Sequence, residues 1–589
     1  MSQQAILISS QDSSGRPQPA ARSFIGHAKV IGVLTLVSRI MGMAREIVAG
    51  HYLGTGLVAS AFTVAFTIPN LFRKLFGEGA LSAAFIPLYA QALKKERDLG
   101  SQPCAPIDSA NAFAAASVNL LCIILLSLTV VGEVILGAMI LLDPHMLPDR
   151  MLTLKFTAIM LPYVLLICGT AFLGAILQVH KRFAAPAAAP IILNLCHVGV
   201  VLIGAKILHL HTHLNPTKTL SLQTTLAYWL SFFVLIAGVL QASILFPELR
   251  AVGFRFEPVL HFWTPAIRKM LKLTVPVALG AGVLQLSVLL DKGISVMLMQ
   301  GVDAAGHAVT HFSLFGHWVR YPMEMGAPAR LNLAQFLYQF PLGVFAIALA
   351  TAIFPNLSAV AMETDRENFK AVLRQGIEAT LFEGLPASIG LILVCRPAVR
   401  LLFQHGQITA HDTDLISRSV MFYSAAIWAF SLQQILNRAY YAMHDTVTPL
   451  VMSIVTLAVN LVVELPLVWT NLGEAGMAAG TIVSFAAQSI IMLFLLDRRV
   501  GGLGLRASAG NIAKMILATA IMLIACLGVL HIPGYPHGDR RTSWAAQLLI
   551  LMTFGGGIYL AACAAMGVGV MEHLLPKRKR VKTKLPDPI

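Results

Sequence analysis

Six charged residues lie inside two apolar stretches near the N-terminus: Arg39, Arg45, Glu46, Arg73, Lys74 and Glu78. A charge at bilayer depth costs roughly 2.5–3.5 kcal/mol on insertion scales, so these groups must face one another or a water-filled cavity. Arg39 and Glu46 are spaced to share nearly the same face of a helix, with Arg45 roughly 120° away. Lys74 and Glu78 stand at i,i+4 and can pair. The arginines outnumber the acids, and a planar guanidinium fork bonds phosphate bidentately. An anionic cargo is therefore expected.

A second group sits further along. Asp291 lies in a later apolar run, Asn460 and Glu464 are at i,i+4 on another, and Thr481 is on the next. Carboxylate, amide and hydroxyl oxygens are hard ligands that suit Na⁺ or a proton. A buried hydrogen-bonded network reads equally well from these residues, and both readings stay open here. Lys292, Glu378 and Glu383 are expected to be internally paired or to snorkel. The triplet His209, His211 and His213 has no neighbouring Cys or carboxylate and reads as incidental. The seven cysteines are scattered without a CxxC pair, which points to core packing rather than metal or disulfide chemistry.

The elements that must position these residues are membrane spans. Of 589 residues 57% are hydrophobic and only 12% charged, and the mean hydropathy is +0.74. Soluble domains carry about 25% charged residues, so this is an all-α, polytopic membrane protein. The net charge of +15 does not imply nucleic acid, because the basic residues sit in short connectors and a tail. Candidate spans are 28–52, 58–94, 109–142, 150–179, 184–208, 220–246, 266–299, 329–361, 370–395, 409–442, 446–469, 474–496, 508–531 and 543–570, about 14 in all. Denser Lys/Arg at alternate connectors places both termini on the cytoplasmic side. Residues 1–27 lack an apolar signal-peptide core, so the first span is expected to serve as its own insertion signal. The tail 576–589 is expected to contact anionic lipid.

Two internal echoes recur at an offset of six spans. FTIPNLFRKLF…SAAFIPLYA (66–90) resembles YQFPLGVFAIALATAIFPNLSA (338–359), and QVHKRFAAPAAAPIILNL (178–195) resembles YAMHDTVTPLVMSIVTLAVNL (441–461). They predict two six-helix lobes in parallel repeat, 28–250 and 251–500, followed by two further helices in 501–575. Prolines inside spans predict kinks. The long outer connector 301–328 reads as an interfacial or cavity-capping loop. No connector carries the paired carboxylates or the bulk expected of a membrane-surface glycosyltransferase, and so the chain is expected not to be an enzyme.

SRIMGMAREIVAGHYLGTG, AFTVAFTIPNLFRKLFGEGALSAAFIP, LPYVLLICGTAFLGAILQVHKRFAAPAAAPIILNL and LFQHGQITAHDT together resemble the MurJ (MviN) lipid II flippase family of the MOP exporter superfamily. The resemblance runs from about residue 28 to 500. It implies 14 helices, the first twelve in two lobes around a cationic central cavity. It also implies carriage of the undecaprenyl-diphosphate-linked peptidoglycan precursor, lipid II, from the inner to the outer leaflet of a bacterial inner membrane. Membrane lipids and other cell-wall synthesis proteins are the further partners it suggests. Position by position, Arg39, Arg45 and Arg73 match the family's cavity arginines and Glu78 its acid in the GEGA turn. Asp291, Asn460, Glu464 and Thr481 stand where some members hold sodium, on helices seven, eleven and twelve. Three positions depart: Ser60 replaces a frequent Asp, Phe336 an Arg, and Gln434 a Lys found in some members. Arg330 or Arg438 is then expected to supply the missing cation. The alternatives are a flippase for another polyprenyl-diphosphate-linked saccharide and an ion-coupled MOP antiporter. No cofactor is implied beyond coupling to Na⁺ or H⁺.

Overall fold

The computed structural model describes residues 19–77, 80–99, 109–210, 215–257, 264–303, 306–314, 316–361 and 366–574. Glu78, Cys104, His211, His213 and the basic tail lie outside them. The described chain is helical almost throughout. The helices are α1 (Pro19–Leu53), α2 (Leu57–Phe72), α3 (Ala80–Leu99), α4 (Ala110–Leu142), α5 (Pro148–Met160), α6 (Tyr163–Val179), α7 (Ala184–Ile207), α8 (Pro216–Ser243), α9 (Phe246–Ala251) and α10 (Pro265–Met297). After two short hairpins come α11 (Ala327–Pro341), α12 (Ile347–Ala361), α13 (Arg366–Phe403), α14 (Ala410–Ala425), α15 (Ile427–Ala442), α16 (Val447–Val468), α17 (Ala475–Arg499), α18 (Leu505–Leu530), α19 (Arg541–Ala565) and α20 (Gly569–Leu574).

Each predicted span falls on one helix or on two consecutive ones. Among the described residues, eight helices are long and apolar enough to cross a membrane, or ten when the bent pairs α5–α6 and α14–α15 each count as one span. The other four predicted segments hold α1, α2–α3, α10 and α11–α12. Among these are the segments with Arg39, Arg45, Arg73 and Asp291 and both π-helical breaks.

Helix starts follow local chemistry. The Ser109 hydroxyl accepts from the Ala112 amide at 3.0 Å and the Thr264 hydroxyl from the Ile267 amide at 3.3 Å. Pro148, Pro216 and Pro265 occupy first turns, where the missing N–H is no loss. Interior prolines act differently. Pro69 precedes a π-helical turn over Arg73–Gly77, and Pro341 precedes one over Leu342–Ala346. A proline removes one rung of the ladder, and a π turn accommodates the displaced carbonyls. Both π turns lie in the 66–90 and 338–359 stretches that echo each other in sequence.

Two compact units emerge, Met1–Arg330 with His405–Thr409, and Leu331–Gln404 with Ala410–Ile589. Helix α10 therefore belongs to the first unit, where it packs on α3, α2 and the first π turn. The unit boundary follows packing, whereas the expected lobe boundary near 250 follows the sequence echo. The first unit's core is aromatic: Phe85 and Phe172 lie 4.5 Å apart, next to Phe113, and Phe156, Met160 and Tyr163 are fully buried. In the second, α13 packs on α12, α14, α15, α18 and α19 around Leu373, Ile377, Leu436, Tyr440 and Met515.

The connector 301–328 is not an irregular loop. Gly301–Val302 pairs antiparallel with Ala308–Val309, and His311–Leu314 with His317–Arg320. Gly316 at φ +81° closes the second hairpin. The strap His405–Thr409 docks in the first unit: the Gln407 amide donates to the His51 carbonyl at 2.9 Å, and the two Nδ1 atoms of His51 and His405 are 2.9 Å apart. Gly406, at φ +63°, lies so close that a Cβ would fall 2.1 Å from the His51 carbonyl oxygen.

Candidate functional site

The cationic group belongs to the first unit. Arg45 emerges from α1 with its side chain 19% exposed. Its Nη2 donates to Glu46 Oε1 at 2.6 Å and its Nη1 to Asn194 Oδ1, on α7, at 3.2 Å. The guanidinium lies over the Phe66 ring, 5.6 Å from the centroid. Glu46 thus pairs with its sequence neighbour. The long Arg45 side chain spans the angle between them that the helical wheel sets.

Arg39, six residues earlier on α1, is half-buried and has no hydrogen-bond or ion-pair partner among the described residues. Arg73 and Lys74 open the π turn; Arg73 is half-buried and Lys74 exposed. Arg73 lies close enough to Tyr163 and Cys168 to act on both electrostatically. Asp291 and Lys292 follow on α10. Lys292 is buried, its Nζ donates to the Pro328 carbonyl at 3.4 Å, and Asp291 and Glu46 both act on it. Arg39, Arg45, Arg73, Lys74 and Lys292 therefore stand against Glu46 and Asp291.

The second unit gathers Asn460, Glu464 and Thr481. Glu464 is fully buried, and its Oε2 accepts from Asn460 Nδ2 at 2.9 Å. Asn460 Oδ1 accepts from the Ser484 hydroxyl at 3.3 Å, while Thr481 donates to the Met477 carbonyl at 3.1 Å. This close approach of α16 and α17 depends on Gly480, where a Cβ would fall 2.7 Å from Glu464 Cβ. Oxygens of Glu464, Asn460 and Ser484 lie together, and carboxylate, amide and hydroxyl oxygens are the donor types a small hard cation takes; the Thr481 hydroxyl is turned to its own helix. Asp291 belongs to the other unit.

The remaining positions have local partners. Arg330 is buried, and its Nη1 and Nη2 donate to the carbonyls of Met325 at 2.9 Å and Glu324 at 3.3 Å, so it braces the return of the hairpin segment. Arg438, in the second unit, lies over the Phe354 ring at 5.3 Å. Ser60 is buried and donates to the Thr55 carbonyl at 3.3 Å. Near Phe336 on α11, Gln335 donates to the Tyr423 hydroxyl at 3.1 Å. Tyr338 stacks on both Tyr423 and Phe430. Phe336 itself is half-buried.

Asn194 and Ser484 were not singled out from the sequence. Asn194 and His197 are the polar residues of PIILNLCHVGVV, spaced i,i+3 on one helical face, and that spacing was the available signal. The structure buries both, with His197 against Phe62 and Phe66.

The family model described as lipid II flippase MurJ matches residues 49–536. The chain belongs to the MurJ family. A probable lipid II flippase MurJ from Rhizobium tropici is 29% identical over 565 residues, 95% of this chain and 96% of its own length. The lipid II flippase MurJ of Burkholderia cenocepacia is 28% identical over 481 residues, 79% of this chain and 82% of its own. Among solved structures, a MurJ in an inward closed conformation superposes with a TM-score of 0.69 at 20% identity, covering 92% of this chain and 99% of that one. An inward-facing MATE transporter of the MOP superfamily gives 0.59 at 13% identity, covering 81% and 98%. At such identity these likenesses concern the fold, which is the MurJ and MATE architecture.

Proposed function

We propose that this chain is a lipid II flippase, a transporter rather than an enzyme. It carries the peptidoglycan precursor from the inner to the outer leaflet of the bacterial inner membrane by alternating access, with both termini cytoplasmic. The observation that carries the reading is the hold on Arg45. Among the described residues, Asn194 and Glu46 take two of its N–H donors, and a guanidinium has five, so three stay available for phosphate oxygens. Arg39, Arg73 and Lys74 add charge in the same unit, and Glu78 belongs to the same sequence group. The diphosphate is held by these cations while the polyprenyl tail stays in lipid. Arg438 supplies a cation on the second unit, and Arg330 orders the segment next to α11.

A drug antiporter for organic cations needs an acidic or aromatic site, which the charge pattern of α1 to α3 opposes. Flipping of another polyprenyl-diphosphate-linked saccharide uses the same phosphate chemistry, and the sugar decides between them. Membrane lipids and other cell-wall synthesis proteins are the further partners.

A second reading concerns coupling. Glu464, Asn460 and Thr481, joined by Ser484, are assigned a site for Na⁺ or H⁺; Asp291, in the first unit, is a separate acidic candidate for coupling. The supporting observation is a fully buried carboxylate inside an apolar span.

The test uses purified protein in liposomes with labelled lipid II and, as the competing cargo, a polyprenyl-diphosphate-linked sugar of a different type. Lipid II is expected to cross at least tenfold faster than the competitor, and Arg45→Ala to slow it by about tenfold or more. Equal rates for both cargos, or no translocation, contradict the reading. Sodium dependence that is lost in Glu464→Gln supports the ion site; a sodium response unchanged by Glu464→Gln removes it.

A further inference from the structure

Resting on the head-group reading above, we infer that Asn194 is a positioning residue that sets the orientation of the Arg45 guanidinium for diphosphate. Three observations converge. Asn194 is 6% exposed, so its amide has no exchange with bulk water to fall back on. It bridges α7 to α1 through both ends: Oδ1 accepts from Arg45 Nη1, and Nδ2 donates to the Ser38 carbonyl, each at 3.2 Å. Ser38 and Arg45 are seven residues apart on α1, on one face, and helical side chains lean toward the N-terminus, so the guanidinium swings back toward the level of Asn194.

The amide's orientation is fixed by this geometry. A helix carbonyl can only accept, and a guanidinium can only donate, so Oδ1 must face Arg45 and Nδ2 must face Ser38. A flipped amide would lose both bonds.

The rest of the cradle restrains the guanidinium plane. Phe66 on α2 lies under it, and Glu46 takes Nη2 from the other side. Phe66 is itself backed by His197, whose ring lies 5.3 Å away and is buried one turn beyond Asn194 on α7. A free arginine side chain loses rotamer entropy when it is immobilised. Here that loss is borne in the folded protein, so the binding of an oxyanion does not carry it again. Glu46 alone would not achieve this, because one carboxylate contact leaves the plane free to rotate about it. Asn194 therefore acts on cargo through Arg45 and makes no contact of its own with the head group.

A double-mutant cycle separates this role from simple packing of α7 on α1. The measurement is the half-saturating concentration and the maximal rate for lipid II in liposomes, for wild type, Arg45→Ala, Asn194→Ala and the double variant. Asn194→Ala is expected to raise half-saturation about tenfold while the maximal rate stays within twofold. In the Arg45→Ala background, Asn194→Ala is expected to add nothing. Asn194→Asp keeps the size and the acceptor oxygen but pairs Arg45 with a full anion. It is expected to raise half-saturation at least as much as Asn194→Ala, and it provides the reading if the alanine variant does not fold. The inference is overturned if Asn194→Ala or Asn194→Asp binds like wild type, or if Asn194→Ala costs the same factor with and without Arg45. If Arg45→Ala itself binds lipid II as wild type does, the head-group reading falls first and the inference with it.

Discussion

Arg45 combines two requirements that pull against each other. It must remain charged within an apolar helix, and it must be ordered enough to recognise a ligand. Glu46 serves the first need and Asn194 the second. The need for a charge partner was legible, since these charges stand in an apolar run, but the helical spacing put Glu46 with Arg39 rather than with Arg45. Asn194 was not legible, because it lies 149 residues away and only the packing of α7 on α1 brings it near. A polar residue in a span says that it has a partner without saying which one. The same limit applied to Asn460: Glu464 was visible one turn away, but Ser484 needed the close approach of α16 and α17. Asp445 illustrates a purely structural use of charge. It lies in the connector before α16, where burial pushes its carboxyl up, but hydrogen bonds from Thr448 and the Arg499 guanidinium outweigh this and leave it below the usual carboxylate range. A lowered folded-state pKa adds stability above the ordinary carboxylate range and loses it as pH falls through the folded value. Asp445→Asn is therefore expected to lower the melting temperature at pH 7, and to flatten the loss of stability that wild type shows between about pH 5 and pH 3. Melting curves of the two proteins across that range check both effects.

At the scale of elements, the cationic group gathers on α1, the first π turn and α10. The segments holding α1, α2–α3, α10 and α11–α12 contain Arg39, Arg45, Arg73, Asp291, Lys292 and Arg330, while Glu464 and Arg438 lie on segments apolar enough to cross a membrane. A helix that faces lipid all round has no place for such groups, so an ionisable residue within a span marks an interior face. The paired π turns sharpen the asymmetry between the halves. After Pro69 the turn holds Arg73 and Lys74, and after Pro341 it holds Leu342 to Ala346. Backbone geometry is repeated and charge is not. Proline positions made kinks legible, but a π turn depends on how the following helix repacks, which local sequence does not encode. The hairpins of 301–320 escaped for a different reason: two- and four-residue strands are too short for a clear alternation. Two glycines supply tests at this scale. Gly480→Ala would push a methyl into Glu464, and overpacking of this kind costs about 1–3 kcal/mol. It is expected to lower thermal stability and to weaken any sodium-dependent shift in melting, whereas Gly480→Ala with an unchanged sodium shift would detach the Glu464 group from coupling. Gly406→Ala combines left-handed backbone with a clash on the His51 carbonyl. It is expected to cost about 1–3 kcal/mol, read as a lower melting temperature, and to slow translocation.

For the molecule as a whole, the span pattern, the all-α membrane class and the family were legible early, because hydropathy and the motifs around Arg39–Glu78 are local properties of the chain. The division into compact units was not. Helix α10 packs with the helices that precede it, and the strap His405–Thr409 joins the first unit although its flanking helices belong to the second. Such choices are made by packing between segments far apart in sequence. This chain is proposed to move lipid II outward with Arg45 as a head-group cation. Complementation of a flippase-depleted bacterium, with lipid II measured in the outer leaflet, tests it most directly. Wild type is expected to restore growth and outward lipid II, and Arg45→Ala, expressed to the same level, to restore neither. Failure of wild type to restore outward lipid II would contradict the function, and full restoration by Arg45→Ala would contradict the site.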